Sequence, residues 1–358
     1  MNVAMWKGRK VLVTGHTGFK GAWLCLLLER LGARVTGLAL EPPTEPSLFA
    51  LARVGDSMTS IIGDIRDLAI VTTTLRDAQP EIVIHMAAQS LVRRSYEDPV
   101  GTYATNIMGT VHLLEAVRQT PSVRVAVNVT SDKCYENREC SLGYRESDPM
   151  GGHDPYSSSK GCAELVTAAW RRSFAHSGHR PVALASARAG NVIGGGDWAM
   201  DRIVPDCMRG AMNGQVIRVR NPGAIRPWQF VLEPLRGYLM LAQRLWEQPA
   251  VFAQAWNFAP READERPVEW IVCRLTQLWG PPARWELDKA AQPHEAHYLK
   301  LDASKARQLG WSPAIDLEQA LDWTAEWYKR YHRGEDVRSV TETQIDRYLQ
   351  LVGEIHPS

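Results

Sequence analysis

The sequence predicts an α/β fold in which a doubly wound parallel sheet is joined to a smaller mixed α/β region. Short apolar, β-branched runs alternate with helical patterns through about residue 187. Repeating strand–helix units of this kind form a parallel sheet that helices cover on both faces. We therefore predict a first domain over residues 1–187, to which segments at about 225–260 return, and a mainly substrate-binding domain over 188–358.

Composition narrows the class of protein. The 358-residue chain carries 41 basic and 40 acidic residues, a formal net charge of +1, which predicts no nucleic-acid-binding surface. The six cysteines form no Cys-x-x-Cys pair, so we expect free thiols in a reducing compartment and no metal site. No run approaches the roughly 20 apolar residues that span a bilayer, and the N-terminus lacks the apolar core of a signal peptide. We expect a cytoplasmic protein without membrane contact.

The first strand–helix unit contains a glycine-rich turn. The apolar run Lys10–Thr14 is followed by Gly15-x-x-Gly18-x-x-Gly21, with Phe19 inside the motif, and then by a helical pattern. Glycines at this point let the backbone approach a pyrophosphate, whose charge the helix N-terminal amides face. The unit therefore predicts a Rossmann-type dinucleotide-binding domain.

The end of the second predicted strand, near residue 40, bears on the choice between NAD and NADP. An acid about 20 residues after the last glycine typically holds the ribose hydroxyls of NAD. Glu41 is the nearest candidate, but Pro42 and Pro43 follow it, and a solvated loop glutamate is the competing interpretation. Arg53 lies too far along the chain to be an obvious 2′-phosphate ligand, so NAD is favoured.

A later strand carries polar groups to its carboxyl end. The apolar run Val125–Val129 leads into Thr130, Ser131, Asp132 and Lys133. In an open parallel sheet the carboxyl ends of the strands are where ligands bind. We therefore expect these side chains to line a reaction site.

Tyr156 and Lys160 begin the next helical pattern four residues apart, so they share one helix face. A nearby ammonium lowers the pKa of a phenol. We predict that Lys160 lowers the pKa of Tyr156 and makes it usable as a base near neutral pH.

These residues resemble those of a known family. Tyr-x-x-x-Lys, preceded by a strand-end Ser or Thr, resembles the short-chain dehydrogenase/reductase superfamily. Over most of the chain the resemblance is to its extended branch, which modifies nucleotide sugars, and it is carried by segments 15–21, 130–135, 188–197 and 225–228. The resemblance implies NAD as cofactor, a nucleotide-sugar substrate and a homodimer or homotetramer.

The resemblance also assigns residues to the cofactor. Asp64 would accept a hydrogen bond from the adenine amine, and Ile65 would pack on the adenine ring. The small side chains of Ala87 and Ala88 would let the ribose and phosphates lie against the backbone. Asn106 corresponds to a helix asparagine behind the active site, which gives a reason for an asparagine within a helix.

Two polar residues nearby are predicted to be structural. Asp67 fits the N-cap of a helix over 68–78, which leaves Asp64 free for the ligand. His85, within an apolar strand, is interpreted as a core histidine.

The redox chemistry implied by the resemblance needs three side chains. Tyr156, as a phenolate, would remove the proton from a substrate hydroxyl while hydride leaves the same carbon. Lys160 would stabilise the phenolate and bind the nicotinamide ribose. Ser131 would hydrogen-bond the hydroxyl or the developing carbonyl.

The two residues after Ser131 separate reaction classes. An epimerase or simple reductase needs only the redox centre, whereas related dehydratases carry Asp then Glu here to expel water. Asp132 matches the acid, and burial should raise its pKa so that it carries a proton. Lys133 departs from that pattern. It acts as a base only in its neutral form; alternatively it stabilises the enolate while another group takes the proton.

Substrate recognition also rests on the resemblance. Asn191 matches a substrate-loop asparagine, and Arg226 matches an arginine that clamps the substrate diphosphate, with Arg202 assisting. His297 and Tyr298 are candidates for nucleotide contact, with structural roles as the alternative. The implied substrate is CDP-D-glucose. The alternatives are a dTDP- or GDP-linked sugar, a nucleotide-sugar 4-epimerase, and a non-enzymatic NAD-binding regulator.

Two further expectations concern packing. The helices predicted at 99–118 and 156–176 could pair across a two-fold axis as a dimer interface, or their apolar faces could simply pack on the sheet. Eight tryptophans crowd the chain after residue 245, and we predict that they form a second core rather than a base-stacking surface.

Overall fold

The computed structural model describes residues 1–139, 142–174, 181–288 and 298–355. Within these ranges the strands are β1 (Lys10–Thr14), β2 (Arg34–Ala39), β3 (Thr59–Ile62), β4 (Ile82–His85), β5 (Val125–Val129), β6 (Ala183–Ala189), β7 (Val192–Ile193), β8 (Ile217–Val219), β9 (Ile225–Pro227), β10 (Gln229–Phe230), β11 (Ala255–Phe258), β12 (Glu265–Pro267) and β13 (Trp285–Leu287).

The α-helices of the same ranges are α1 (Phe19–Arg30), α2 (Leu48–Leu51), α3 (Leu68–Ala78), α4 (Val92–Glu97), α5 (Pro99–Tyr103), α6 (Gly109–Gln119), α7 (Pro155–Phe174), α8 (Ile203–Met212), α9 (Leu232–Glu247), α10 (Pro249–Phe252), α11 (Val268–Trp279), α12 (Leu317–His332) and α13 (Val337–Leu351). The helix predicted over 99–118 consists of α5 and α6 joined by a π-helical turn, Ala104–Met108.

The central sheet has seven strands in the order β11-β6-β5-β4-β1-β2-β3, all parallel. The chain order reverses between β1 and β4, which is the crevice where such sheets bind ligands. β11 comes from far beyond residue 187 and pairs with β6, with Ala255 opposite Ser186. The predicted doubly wound parallel sheet is confirmed.

Both faces of the sheet are buried because successive side chains of a strand point to opposite faces. In β1, Val11 and Val13 join the apolar cluster that contains α1, α9 and the C-terminal helices. Leu12, between them, joins the cluster beneath α3 and α6. This alternation explains why runs such as Val11–Val13 and Ile82–Ile84 are apolar at successive positions.

Of the eight tryptophans after residue 245, four are buried core residues, as predicted, and four are partly buried against the same cluster, so they form no separate core. Trp256, Trp311, Trp323 and Trp327 are buried in the same cluster as Val11. The reason is topological: α9 packs on the sheet and β11 pairs with β6 within it, so the helices that follow pack on them rather than on each other alone.

Three two-stranded sheets, β7–β10, β9–β12 and β8–β13, form the mixed region beyond the main sheet. β9 and β12 are antiparallel, whereas the other two pairs are parallel. No helix in the described ranges is long and apolar enough to cross a membrane.

Candidate active site

The redox pair lies on the first turns of α7. Tyr156 and Lys160 are 7% and 6% exposed. The helix is started by Asp154, whose carboxylate accepts hydrogen bonds from the amide of Ser157 at 2.9 Å and from its hydroxyl at 2.5 Å. This cap satisfies an N-terminal amide of the helix and fixes where α7 begins. Tyr156 lies in the first turn and is therefore positioned by the cap.

Ser131 and Asp132 follow β5 in a short 3-10 turn, Asp132–Cys134. The Ser131 hydroxyl caps the turn by accepting a hydrogen bond from the amide of Lys133 at 3.2 Å. The same hydroxyl donates to Oδ1 of Asp132 at 2.9 Å. The strand end and the turn therefore present the two side chains together, as the sequence predicted.

Asp132 is the most unusual group of the site. It is 2% exposed, and its Oδ2 is buried without a hydrogen-bond partner among the described residues. Burial raises the pKa of this carboxyl, while the charges of Lys133 and Arg226 and the Ser131 hydroxyl oppose the rise. A buried carboxyl with an unused oxygen favours the neutral, proton-donating form. The expected direction of the shift is confirmed.

The pKa of Tyr156 is raised and not lowered as predicted. Burial raises the pKa of Tyr156 to about 12, with the Ser131 hydroxyl and the Arg202 charge acting in the opposite sense. Burial also lowers the pKa of Lys160 to about 8. Desolvation disfavours the charged form of each group, and it outweighs the attraction that the four-residue spacing suggested.

Lys20 is a site residue that the sequence analysis missed. Its ammonium donates a hydrogen bond to the Tyr238 hydroxyl at 3.0 Å. Burial lowers its pKa to about 7; the charges of Lys160 and Arg202 lower it further, whereas Asp132 raises it. A cation therefore reaches the same pocket as the redox pair from α1.

A signal for Lys20 was present in the helix pattern. Trp23, Leu24 and Leu27 are buried residues at positions three, four and seven after Lys20, so all four lie on one helix face. A lysine on the buried face of a helix is expected to have a specific partner. The glycine motif by itself does not indicate this lysine.

The glycine turn has the shape required for a diphosphate. Gly15 has a φ of +78°, and a Cβ there would lie 2.8 Å from the amide nitrogen of Ala87. A Cβ at Gly21 would lie 2.1 Å from the carbonyl oxygen of Gly15. Gly18, the N-cap of α1, provides no side-chain cap, so the first amides of α1 are open to an anion. These residues fit the pyrophosphate of a dinucleotide.

The remaining residues assigned to the cofactor lie along the carboxyl edge of the sheet. Asp64, after β3, pairs with Arg66 at 2.5 Å, while Asp67 caps α3 through the amides of Ala69 and Ile70, as predicted. Ile65 is a correction: its side chain is buried in the cluster beneath α6, not at an open ring-binding surface.

Space for Ile65 comes from Gly109, where a Cβ would lie 2.5 Å from the Ile65 Cδ1. Ala87 and Ala88, after β4, are half-buried, with Ala87 against Gly15. His85 is a core histidine, as predicted, with its Nδ1 2.6 Å from the Thr14 hydroxyl. Burial lowers its pKa to about 3.

Asn106 ties two parts of the site together from the π-helical turn. Its Oδ1 accepts from the amide of Gln89 at 2.9 Å, and its Nδ2 donates to the Gln89 carbonyl at 3.0 Å and to the Ser159 hydroxyl at 2.8 Å. Ser159 in turn donates to the carbonyl of Tyr156. Asn106 therefore joins the segment after β4 to the helix that carries the redox pair.

The candidate substrate residues come from the region beyond β6. Arg202 donates to Asp197 and to Ser90, both at 3.0 Å, and its charge acts on Tyr156. Arg226, on β9, is buried and acts electrostatically on Asp132.

Asn191 accepts a main-chain hydrogen bond from Gln229 at 2.9 Å. Tyr298 is partly exposed and bridges to Ile225 of β9 through the main chain. His297 lies outside the described residues. Across the ranges that the structure covers, no group of three His, Cys, Asp or Glu residues could hold a metal ion.

Known proteins resemble this chain along most of its length. The family model described as GDP-mannose 4,6 dehydratase matches residues 12–324. The chain is 56% identical to a CDP-glucose 4,6-dehydratase of Salmonella typhimurium over 96% of this chain and 97% of that one. It is 30% identical to a dTDP-glucose 4,6-dehydratase of Xanthomonas campestris pv. campestris, over 88% and 92% of the two chains.

Solved structures show the same fold. A dTDP-glucose 4,6-dehydratase of Bacillus anthracis in complex with NAD superposes with a TM-score of 0.76 at 21% identity, covering 92% of this chain and 99% of that one. A UDP-glucose 4-epimerase of Thermotoga maritima gives 0.77 at 19% identity, covering 90% and 99%. The matched length, the sheet order and the Tyr156–Lys160 pair together show that this chain belongs to the GDP-mannose 4,6-dehydratase family of extended short-chain dehydrogenases/reductases.

Proposed function

We propose that this protein is an NAD-dependent CDP-D-glucose 4,6-dehydratase, a hydro-lyase that forms CDP-4-keto-6-deoxy-D-glucose. The observation that carries the proposal is the buried Asp132, with an unpartnered oxygen, beside the Tyr156–Lys160 pair. A 4-epimerase has no need of a buried proton donor at this position. The 56% identity with a CDP-glucose 4,6-dehydratase along nearly the whole chain supports the choice of base and sugar.

The residues proposed to hold NAD are the glycine turn with Phe19 for the diphosphate, Asp64 for the adenine and Lys160 for the nicotinamide ribose. Bound NAD would accept the hydride that leaves C4 and, after water is lost across C5 and C6, return it to C6 while a proton returns to C5, so that the cofactor is unchanged after each turnover. Gly15 lies so close to Ala87 that a side chain on Gly15 would collide with the main chain there. The crevice between β1 and β4, where the strand order reverses, is therefore bounded by backbone at this point, which suits a flat, extended ligand.

Oxidation at C4 is the task of Tyr156 and Ser131. Tyr156 removes the proton of the C4 hydroxyl, and Ser131 donates a hydrogen bond to the oxygen as it becomes a carbonyl. Because burial holds the pKa of Tyr156 at about 12, the phenolate needs nearby cations. Arg202 supplies one, and Lys160, on the same helix face, supplies another.

Elimination across C5 and C6 is the task of the turn after β5. The C4 carbonyl acidifies the C5 proton, and Asp132, whose pKa burial raises, protonates the departing C6 hydroxyl. Lys133 has two possible roles: as a neutral amine it takes the C5 proton, and as an ammonium it stabilises the enolate. Arg226, Arg202 and Asn191 are proposed to bind the substrate diphosphate and sugar, with Tyr298 and His297 near the nucleotide.

The proposal is tested by incubating the purified protein with NAD and each of CDP-, dTDP-, GDP- and UDP-glucose. Keto-sugar formation is followed by its absorbance in alkali, with Asp132→Asn as the matched inactive control. We expect CDP-glucose to be converted fastest. A C4 epimer without keto product would instead identify a 4-epimerase, and faster conversion of another nucleotide sugar would change the assigned base.

We also propose a cytoplasmic homodimer that supplies a deoxysugar precursor for surface polysaccharide such as O-antigen. Apolar side chains on α5 and α7 are exposed in the single chain, with Val100 78% and Leu165 59% accessible. Light scattering of wild type and Leu165→Asp tests the dimer: we expect a dimer that the aspartate dissociates. A homotetramer would indicate a second interface, and a wild-type monomer would contradict the proposal.

A further inference from the structure

A buried ion pair lies directly behind the catalytic groups. Glu164, on α7 one turn beyond Lys160, pairs with Arg188 of β6 at 2.7 Å, and both side chains are 4% exposed. Burying an ion pair rarely stabilises a fold more than apolar residues of similar size would. The contacts of the pair therefore indicate a role other than stability.

The pair contacts both ends of the turn that carries the acid, residues 131–134, which we call the catalytic turn. Thr130, immediately before it, donates its hydroxyl proton to Glu164 at 2.5 Å. Tyr135, immediately after it, accepts a hydrogen bond from Arg188 at 2.6 Å. Two charges that are bound to each other thus hold the two ends of one short turn.

We call the Glu164–Arg188 pair, together with its contacts to Thr130 and Tyr135, the clamp. Further hydrogen bonds hold the clamp in place. The second oxygen of Glu164 also accepts from the Ser186 hydroxyl at 2.7 Å. The Tyr135 hydroxyl donates to Asn257 of β11 at 2.7 Å, and the Arg188 guanidinium lies 4.9 Å from the centre of the Tyr135 ring. The catalytic turn is therefore tied to α7, β6 and β11 through one hydrogen-bonded network.

We propose that Glu164 and Arg188 are positioning residues that hold the catalytic turn in register with Tyr156 and Lys160, and that Glu164, one turn along the same helix, is also the counter-charge of Lys160. This inference rests on the proposed dehydratase function. Neither residue reaches the substrate; both act through the groups that do. Oxidation and elimination must follow each other on one bound sugar, so the turn and the helix need a fixed separation.

The surroundings of Lys160 support the electrostatic half of the inference. Burial lowers the pKa of Lys160, while Glu164 on its own helix raises it. The other titratable groups that face Lys160 are Tyr156 on the same helix face, whose pKa burial raises to about 12, Cys134 of the catalytic turn, Lys20 of α1 and His85 of β4. Burial keeps the thiol of Cys134 and the ring of His85 neutral, so Glu164 is the anion that favours the Lys160 ammonium.

The first experiment compares Glu164→Gln with wild type in CDP-glucose turnover. The amide has nearly the same shape but no charge. We expect kcat to fall about 10- to 100-fold through misplacement of the turn, with KM within about threefold of wild type. We also expect the alkaline limb of the pH profile of kcat to move to lower pH, because Lys160 loses its proton more readily without the anion.

A matched control separates positioning from simple loss of stability. Glu354→Gln removes the charge of another buried pair, with Arg236 at 2.8 Å, away from the catalytic turn. It should lower Tm and leave kcat and the alkaline limb unchanged. A loss of kcat in Glu354→Gln equal to that in Glu164→Gln would overturn the inference.

Two milder variants keep the test decisive if Glu164→Gln fails to fold. Tyr135→Phe and Thr130→Val each remove one hydroxyl from the clamp and retain the ion pair. Each should lower kcat without moving the alkaline limb; wild-type kcat in both would overturn the inference. If wild-type protein forms no keto sugar, the proposed function itself fails, whereas an active wild type with unaltered variants contradicts the clamp alone.

Discussion

Two buried carboxyl groups, Asp132 and Glu164, lie close to the redox pair in space, and their pKa values shift in opposite directions. Asp132 is 2% exposed and Glu164 is 3% exposed. Burial raises the pKa of Asp132 in spite of the nearby cations. Burial would raise that of Glu164 too, but Arg188 and the hydroxyls of Thr130 and Ser186 lower it.

The difference lies in the partners. Asp132 accepts a hydrogen bond from the Ser131 hydroxyl through Oδ1, and its Oδ2 has no partner among the residues that the structure describes, whereas both oxygens of Glu164 are occupied. Desolvation is similar for both groups, so hydrogen bonds and paired charge decide which carboxyl stays ionised. The site thus keeps one carboxyl able to give up a proton and another as a fixed anion.

The largest expected effect comes from removing the proton donor. Asp132→Asn should lower kcat on the order of 10³-fold, since general acid catalysis contributes typically 10²- to 10⁴-fold. Oxidation needs only Tyr156, Ser131 and Lys160, so the near-ultraviolet absorbance of reduced nicotinamide should still rise when substrate is added. Wild-type turnover by Asp132→Asn would show that Asp132 is not the proton donor, and would so contradict the proposed difference between the two carboxyls.

The second prediction uses stability and pH. The folded pKa of Glu164 lies below its ordinary 4.5, so its stabilisation is complete above about pH 4.5 and is lost as the pH falls through the folded pKa. Glu164→Gln should lower the free energy of unfolding by about 3 kcal/mol near pH 7, since one partner of a buried pair is removed. The deficit should shrink in acid, as measured by urea unfolding.

Asp132 should give the opposite pH dependence. Its folded pKa lies above the ordinary 3.8, so wild type loses stability as the pH rises from about 3.8 through the folded pKa. Asp132→Asn should therefore gain stability relative to wild type as the pH rises above about 3.8. Parallel pH dependence of the two variants would contradict the contrast between the two sites.

A smaller effect is expected from the residue beside the acid. Lys133→Met should retain NAD binding and lower kcat about 100-fold. The Lys133 charge opposes the raised pKa of Asp132, so the part of the alkaline limb that Asp132 controls should move to higher pH. Lys133→Arg separates the two roles: recovered turnover indicates enolate stabilisation, and continued loss indicates a base.

The smallest effect is expected at the surface. Arg30 and Asp346 form a pair at 2.5 Å in which both side chains are more than a third exposed. Asp346→Asn should change the free energy of unfolding by less than about 0.5 kcal/mol, and less still at high salt. A loss of unfolding free energy as large as that of Glu164→Gln would show that burial does not determine how much an ion pair contributes to stability.

Most of the fold and the core of the candidate site could be predicted because their signals are local. The glycine turn, the strand Val125–Val129 and the spacing of Tyr156 and Lys160 each follow from a few consecutive residues. Alternating apolar strands and helical patterns then imply a parallel sheet, and a parallel sheet brings the carboxyl ends of its strands to one edge. Asp132 was placed correctly for that reason.

Only the tertiary structure decided the electrostatics of the site. Lys20 meets Tyr238 across 218 residues of chain, and Tyr135 meets Asn257 across 122. A pKa is set by the sum of burial and of all charges within reach, and these contacts have no local pattern. The spacing of Tyr156 and Lys160 therefore indicated their shared face, but burial decided the direction in which each pKa moves.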